Sequence, residues 1–510
     1  VNQSATISRR AAAFAGAVSA GLALGLTELA AGFTDRVPSS VAAVGGFLID
    51  WAPRSVKEFA ISTFGTADKG ALALGTTFVA ILIGALVGIL SLRWRWVAPA
   101  AFGVFGVVGI VATSTETTFS PIPTVIAIAV ASGAGLLVLR ALLYREVETP
   151  TDGVPGNSSR RIFIGSVAGV GMAALLTGVA GRRLIINRSE RVRQGAVLPT
   201  PPMTLPPPGP NASFAVDELT PVVVPNSDFY RIDTALVVPR PDPETWRLKV
   251  TGMVDNELAL SLDDVMAMPI VEDYVTISCV SNDVGGHLVG NAKWTGVRLV
   301  DILDRAGVQE GAGQIVGRSV DGWTSGFPTP LAYDGREPLL ALGMNGEPLP
   351  PNHGYPARLI VPGLYGYVSA TKWIEEIELT TWDGFDGYWI PRGWSKEGPI
   401  KTQSRIDRPR RGQSLPGAPL VLAGVAWAPT RGIERVEVQL DGGDWIEADL
   451  TTPLSDKAWV QWKVDQSLAP GDHEAKVRAT DGDGMTQTSE ETSPAPNGAT
   501  GWHTIDFTTT

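Results

Sequence analysis

Tyr274-Val-Thr-Ile-Ser-Cys-Val-Ser-Asn282 decides how the polar half of this chain is read. β-Branched and aromatic residues lead into Cys279, and a glycine-containing loop, Asp283-Val-Gly-Gly286, leads out. The cysteine is therefore expected where a strand ends. A strand end is a fixed platform, and a thiolate is a soft donor that suits a transition metal. Taken alone, a cysteine is more often a small buried hydrophobe, so its surroundings decide. Cys279 is the single cysteine among 510 residues. An intramolecular disulfide is impossible, and cysteine-rich zinc or iron–sulfur sites are excluded by count.

Around this stretch, residues 216–400 mix short strands with a few helices, an α+β pattern. A short amphipathic helix is predicted over 301–306 and a buried strand over 358–362, ended by Pro362-Gly363. Residues 401–510 read as all-β. The runs 421–427, 433–440, 444–448, 459–464 and 473–480 alternate or are apolar, and Asp441-Gly-Gly, Pro470-Gly-Asp and Asp481-Gly-Asp-Gly punctuate them. That rhythm predicts an immunoglobulin-like sandwich without the cysteine pair of antibody domains.

The N-terminal part is different in kind. Residues 1–200 carry 17 Lys and Arg against 10 Asp and Glu, which leaves 24 against 42 for the rest of the chain out of totals of 41 and 52. The acidic remainder is a poor partner for nucleic acid, which wants a basic face. Five apolar stretches, about 11–33, 70–92, 96–113, 122–144 and 162–180, have the length of bilayer spans. They predict an all-α transmembrane bundle over 1–185. With the N-terminus cytoplasmic, Arg9, Arg10, Arg93, Arg95, Arg140, Arg145, Arg160 and Arg161 all fall on the inner side. Five spans then place everything after about 182 outside, as a multi-pass cell-membrane protein with its soluble part extracytoplasmic or periplasmic. The cluster Arg182, Arg183, Arg188, Arg191 and Arg193 opposes this placement. Ser159-Arg160-Arg161-Ile162-Phe163-Ile164 reads equally as a twin-arginine export signal and as an ordinary cytoplasmic arginine pair. Leu198-Pro-Thr-Pro-Pro-Met-Thr-Leu-Pro-Pro-Pro-Gly-Pro210 lies in a Pro-rich, semi-extended linker spanning 186–215. The four histidines, His287, His353, His473 and His503, all fall in the soluble part, which argues against a bis-histidine haem in the membrane.

Several pieces in order resemble the sulfite oxidase family. They are Phe229-Tyr-Arg-Ile-Asp233, Asp242-Pro-Glu-Thr-Trp-Arg-Leu-Lys-Val-Thr-Gly252, Cys279-Val-Ser-Asn282 and Trp294-Thr-Gly-Val-Arg-Leu299. The longest is Met344-Asn-Gly-Glu-Pro-Leu-Pro-Pro-Asn-His-Gly-Tyr-Pro-Ala-Arg-Leu-Ile-Val-Pro-Gly363, closed by Lys372-Trp373. Ala426-Trp427 and 436–443 match the family's dimerisation domain, which leaves a homodimer open. The resemblance implies one molybdenum–molybdopterin cofactor, with Cys279 its protein ligand. It assigns cofactor contacts to Tyr230, Arg231, Asp233, Asn282, Asp321, His353, Arg358, Thr371 and Lys372. The chemistry agrees, since a pterin phosphate wants Arg, Lys, His and exposed backbone N–H groups.

The pattern also departs from the family. Asp283-Val284 stands where sulfite oxidases carry an Arg-Arg pair, and their active-site tyrosine falls on Ser325 in Gly322-Trp-Thr-Ser-Gly326. Two pocket arginines remain, Arg231 and Arg431. The stretch Gln403-Ser-Arg-Ile-Asp-Arg-Pro-Arg-Arg-Gly412 reads either as a pocket rim or as a basic hinge. The implied activity is two-electron oxygen-atom transfer on a small extracytoplasmic substrate, either sulfite-like or an S- or N-oxide. Electrons would pass to or from an external carrier such as a cytochrome or a quinone-linked protein. The competing reading is a cofactor-free binding module anchored in the lipid bilayer.

Overall fold

The computed structural model describes residues 7–34, 36–51, 68–116, 119–144, 157–195, 197–235, 238–416 and 419–510. Arg145 lies outside them. The chain divides into two compact units, Val1–Arg191 with Ala235–Val238, and Val192–Thr234 with Pro239–Thr510.

The first unit is helical. Four helices are long and apolar enough to cross a membrane, namely Arg9–Phe33, Gly70–Ser91, Pro121–Leu143 and Arg161–Asn187. The stretch expected as a further span folds as the 17-residue helix Val97–Thr113. At 1.5 Å per residue it reaches about 26 Å, the short end of the range for a helix that spans a bilayer. A helix that the five apolar stretches do not include, Ser40–Trp51, lies between the first two of them. The Glu28 carboxylate ties its start to the first helix, accepting from Ser39 Oγ at 2.8 and 2.9 Å and from the Val41 N–H at 3.3 Å.

Helix Arg9–Phe33 meets its neighbours through small residues. A Cβ on Gly88 would lie 2.0 Å from the Ala12 carbonyl oxygen, and one on Gly16 would lie 2.0 Å from that of Gly84. Such close backbone approach is compatible with packing in a membrane, where lipid supplies no hydrophobic drive between helices.

The second unit is built from sheets. One sheet runs Leu258–Ser261, Arg247–Gly252, Ile374–Thr380, Gln314–Ser319, Thr324–Pro328, with Arg247–Gly252 parallel to Ile374–Thr380. A second, antiparallel sheet runs Ile270–Ser278, Val289–Arg298, Leu339–Met344, Glu347–Pro348, and Arg358–Ile360 also pairs with Leu339–Met344. Val289–Arg298 is almost wholly buried because it is central and covered on both faces. Helix Leu299–Ala306 buries Leu299, Ile302, Leu303 and Ala306, the amphipathic stripe legible in the sequence.

The C-terminal region is all-β, with two sheets. One runs Gln403–Arg408, Leu420–Trp427, Val460–Gln466, Asp449–Leu450, and the other runs Ser414–Leu415, His503–Thr509, Gly471–Asp481, Ile433–Leu440, Trp445–Glu447. Its core holds Val436, Val438, Trp462, Val477 and Phe507. It does not stand apart from the cysteine-bearing sheet. Thr276 N–H donates to the Lys457 carbonyl at 3.0 Å, Trp459 N–H donates to Thr276 Oγ1 at 2.8 Å, and the Trp459 indole donates to the Val222 carbonyl at 2.8 Å. The Pro-rich stretch is anchored too, since Leu205 N–H donates to Glu272 at 2.8 Å and the Tyr274 hydroxyl to the Pro206 carbonyl at 3.3 Å.

Gly88→Val should destabilise the helical unit by about 1–3 kcal/mol, the usual cost of overpacking. Gly103→Val, where nothing lies within 4 Å, should leave it unchanged. Thermal unfolding of both variants in detergent checks this, and equal behaviour would refute the packing argument.

Candidate active site

Strand Ile270–Ser278 delivers Cys279 to a cleft of about 890 Å³, its open mouth included. The loop after the cysteine closes on itself. Cys279 N–H donates to the Leu288 carbonyl at 2.8 Å, and Asn282 N–H to the Cys279 carbonyl at 3.1 Å. The Asn282 side-chain oxygen accepts from Leu288 N–H at 2.7 Å. Asn282 therefore shapes the loop and is not among the cleft's lining. The Cys279 thiol is buried, which pushes its pKa up, while hydrogen bonds from Ser281 and the charge of Lys372 pull it back.

Two cations share the cleft with the thiol. Arg358, on the buried strand Arg358–Ile360, donates from Nη1 to the His353 carbonyl at 3.1 Å and lies 5.1 Å over the Trp294 ring. Its Nε is buried with no partner. Burial holds the guanidinium down to about 10. Lys372 donates to Asp233 at 3.0 Å and to the Asn352 carbonyl at 3.2 Å. Burial holds it down to about 8, with Asp233 opposing. Asp321 lines the same cleft. It accepts from the Trp323 N–H at 3.1 Å, and burial raises its carboxyl above the ordinary range. Tyr230 completes this side of the cleft, stacked on Phe229 at 5.3 Å, and burial pushes its phenol up.

Five of the residues predicted from sequence lie off the cleft lining besides Asn282. Arg231 turns to Asp233 at 2.9 Å. Ser325, in the buried middle of strand Thr324–Pro328, and Thr371 are fully buried and bond each other at 2.7 Å. Arg431 is held by Asp481 at 2.9 Å, the Ile400 carbonyl at 3.1 Å and Thr402 at 3.1 Å. His353 spends its Nε2–H on the Asn226 carbonyl at 3.0 Å, leaving Nδ1 a buried acceptor without a partner. Burial and the cations Lys372 and Arg358 hold its pKa down to about 3. What it contributes is its carbonyl, which orients Arg358.

The sequence reading missed an aromatic wall formed by Trp323, Tyr367, Trp389 and Trp394. Tyr367 donates to the Ser395 carbonyl at 2.6 Å and so fastens the rim. The dense run Trp382-Asp-Gly-Phe-Asp-Gly-Tyr-Trp-Ile-Pro-Arg-Gly-Trp394 carried that signal.

The donor set can be tested against a molybdopterin. Among the described residues no group of three or more His, Cys, Asp or Glu could hold a metal. A metal here would need its other ligands from a non-protein group, leaving one place for a thiolate. An anionic group would satisfy the orphaned Arg358 Nε and the buried Lys372, since buried charges are otherwise costly. The residues fit a cofactor that carries both a metal and a phosphate.

Comparison with known proteins agrees. The family described as "Oxidoreductase molybdopterin binding domain" matches residues 235–389. The uncharacterized oxidoreductase YuiH of Bacillus subtilis (strain 168) is 39% identical over 157 residues, 31% of this chain and 76% of that protein. Mitochondrial sulfite oxidase of Homo sapiens is 30% identical over 302 residues, 50% of this chain and 55% of that protein. Nitrate reductase [NADH] 1 of Oryza sativa subsp. japonica is 29% identical over 315 residues, 49% of this chain and 34% of that protein. The chain thus spans about half the length of the sulfite oxidase it matches. Its matched domain, its likeness to the Bacillus protein over most of that protein's length and its thiol-and-cation cleft place it in one group: the chain belongs to the sulfite oxidase family of molybdopterin-dependent oxidoreductases.

Proposed function

We propose that this chain is a membrane-anchored enzyme that transfers an oxygen atom to or from a small uncharged substrate, an organic S- or N-oxide or its reduced partner. The observation that carries the reading is the cleft's inventory. One thiol and two buried cations, one with an orphaned nitrogen, share it with four tryptophans. In this reading Cys279 is the protein ligand to molybdenum, and Arg358 and Lys372 hold the cofactor's phosphate. Both cations are then committed to the cofactor. Arg231 and Arg431, the two arginines the motifs place at the pocket, are tied to carboxylates instead of standing ready to grip a sulfite dianion. The aromatic wall favours an apolar substrate body and excludes water.

The cofactor, when bound, supplies two-electron oxygen-atom transfer. The chain's own residues bind and orient. Asp233 holds Lys372 in place, the His353 carbonyl aims Arg358, and the Cys279 thiol loses its proton when it takes the metal. The wider proposal adds five spans, a soluble part beyond the outer membrane face, and an external electron carrier.

Elemental analysis tests the core of this. Wild type should hold about one molybdenum per chain, as a single ligating thiolate implies, and Cys279→Ser should lose the thiolate-to-metal absorption band. A well-folded wild type without molybdenum would overturn the reading in favour of a binding module. Steady-state assays with an artificial electron donor and an organic S-oxide should turn over, while sulfite with an artificial acceptor should be slow. The reverse ranking would restore sulfite.

Arg358→Met should leave the metal-free protein at least as stable as wild type, because it removes a buried charge lacking a full set of partners. It should still fail to retain the cofactor, which calorimetry and metal analysis read separately. Cofactor loading should also fall as pH rises through about 8, where the free protein's Lys372 loses its proton. In Lys372→Arg that fall should disappear, since arginine stays charged.

A further inference from the structure

We infer that Arg405 and His503, both in the C-terminal all-β region, are positioning residues for the cysteine loop 279–288. The inference deepens the proposed function, since it rests on Cys279 being the metal's ligand.

Arg405 sits in strand Gln403–Arg408 and is 2% exposed. A buried guanidinium has to be bonded on each side, and each bond here goes to a different part of the chain. Nε donates to Asp407 at 2.6 Å, Nη1 donates to the Gly286 carbonyl at 2.8 Å, and Nη2 donates to Thr220 Oγ1 at 2.8 Å. Asp407 returns the contact by accepting from the Thr220 N–H at 3.1 Å. Only the Gly286 bond reaches the cysteine loop, and it does so at the end opposite Cys279. His503 presses on the adjoining residue. Its Nδ1 accepts from the Ile406 N–H at 3.0 Å, which fixes the ring, and a Cβ on Gly285 would lie 2.2 Å from His503 Cδ2. Gly285 has φ +76°, so the loop can pass under the ring only as glycine.

The loop is thus clamped at both ends. Its inner end is closed by the Cys279–Leu288 and Asn282–Leu288 bonds. Its outer end is held by a residue from a different sheet. A guanidinium does this better than an ammonium, because its planar fork serves three directions at once. The consequence is that the orientation of the Cys279 sulfur depends on the all-β region, though no residue of that region lines the cleft.

The test uses the full-length protein in detergent. Arg405→Met breaks the Gly286 bond. Arg405→Met with Asp407→Asn does the same without leaving a buried carboxylate unpaired, and covers the case in which the single variant fails to fold. Lys457→Met removes a different ion pair between the same two regions, that with Asp273 at 2.6 Å, and serves as the control for a purely structural effect. Amide hydrogen exchange over 279–288 and the energy of the thiolate-to-molybdenum band are measured for each. Exchange in the loop should speed up on the order of tenfold in both Arg405 variants, as expected for losing a charged hydrogen bond. The band should shift in those variants and remain in place in Lys457→Met, and Arg405→Lys should fall between. Loop exchange and a band unchanged in the Arg405 variants, with stability lowered only as in Lys457→Met, would overturn the inference. If wild type shows no band at all, the proposed function fails, and the exchange data alone decide whether Arg405 holds the loop.

Discussion

Two positive charges buried beside one thiol are the constraint around which the polar half of this protein is arranged. Arg358 and Lys372 both face the Cys279 cleft, and burial lowers the pKa of each. Such charges persist only where neighbours orient and bond them. Asp233 and the Asn352 carbonyl do this for Lys372, and the His353 carbonyl and the Trp294 ring do it for Arg358. The Arg358 Nε remains without a partner. A site that keeps a buried donor unsatisfied is organised for an anion it does not itself contain, which agrees with the molybdopterin cofactor of its family.

The sheets explain why those groups converge. Cys279 follows the end of Ile270–Ser278, while Arg358 opens a strand paired to Leu339–Met344 in the same antiparallel sheet. Lys372 stands just before Ile374–Thr380, in the other sheet of this body. The cleft therefore lies where strand ends from two sheets meet, and each side chain is presented by a rigid element. The all-β region adds a third constraint by donating backbone and indole hydrogen bonds to Thr276 and Val222. The cysteine strand is consequently held on a side that the cleft does not reach.

The proposed membrane anchoring rests on a different kind of argument. Helix Arg9–Phe33 packs through Gly16 and Ala12 against Gly84 and Gly88, at distances that admit no side chain. Such packing suits a lipid setting, where apolar surface alone does not bring helices together. The 17 residues of Val97–Thr113 stand at the short end of what spans a bilayer, apart from the four longer apolar helices.

Much was determined by the sequence alone. The apolar helices, the amphipathic helix near 299–306, most strands of the all-β region and the end of the cysteine strand follow from periodicity and turn residues, which are local. The family was legible because its motifs run in order along the chain. Cys279, Arg358, Lys372, Asp233, Asp321 and Tyr230 were named from those motifs, and all six line one cleft. Tertiary structure alone decided the rest. The motif aligns Ser325 with the family's pocket tyrosine, but it is buried in the core and bonded to the Thr371 hydroxyl. Arg231 and Arg431 were read as pocket arginines, but nearby carboxylates hold them. The motif assigns His353 a cofactor contact, and in the fold its Nε2–H goes to the Asn226 carbonyl. The aromatic wall joins residues 323, 367, 389 and 394, and the Arg405 clamp reaches across 119 positions to Gly286. Pattern reports which way a residue faces along its own element. It does not report which distant partner arrives to claim its hydrogen bond, because that depends on how the elements pack.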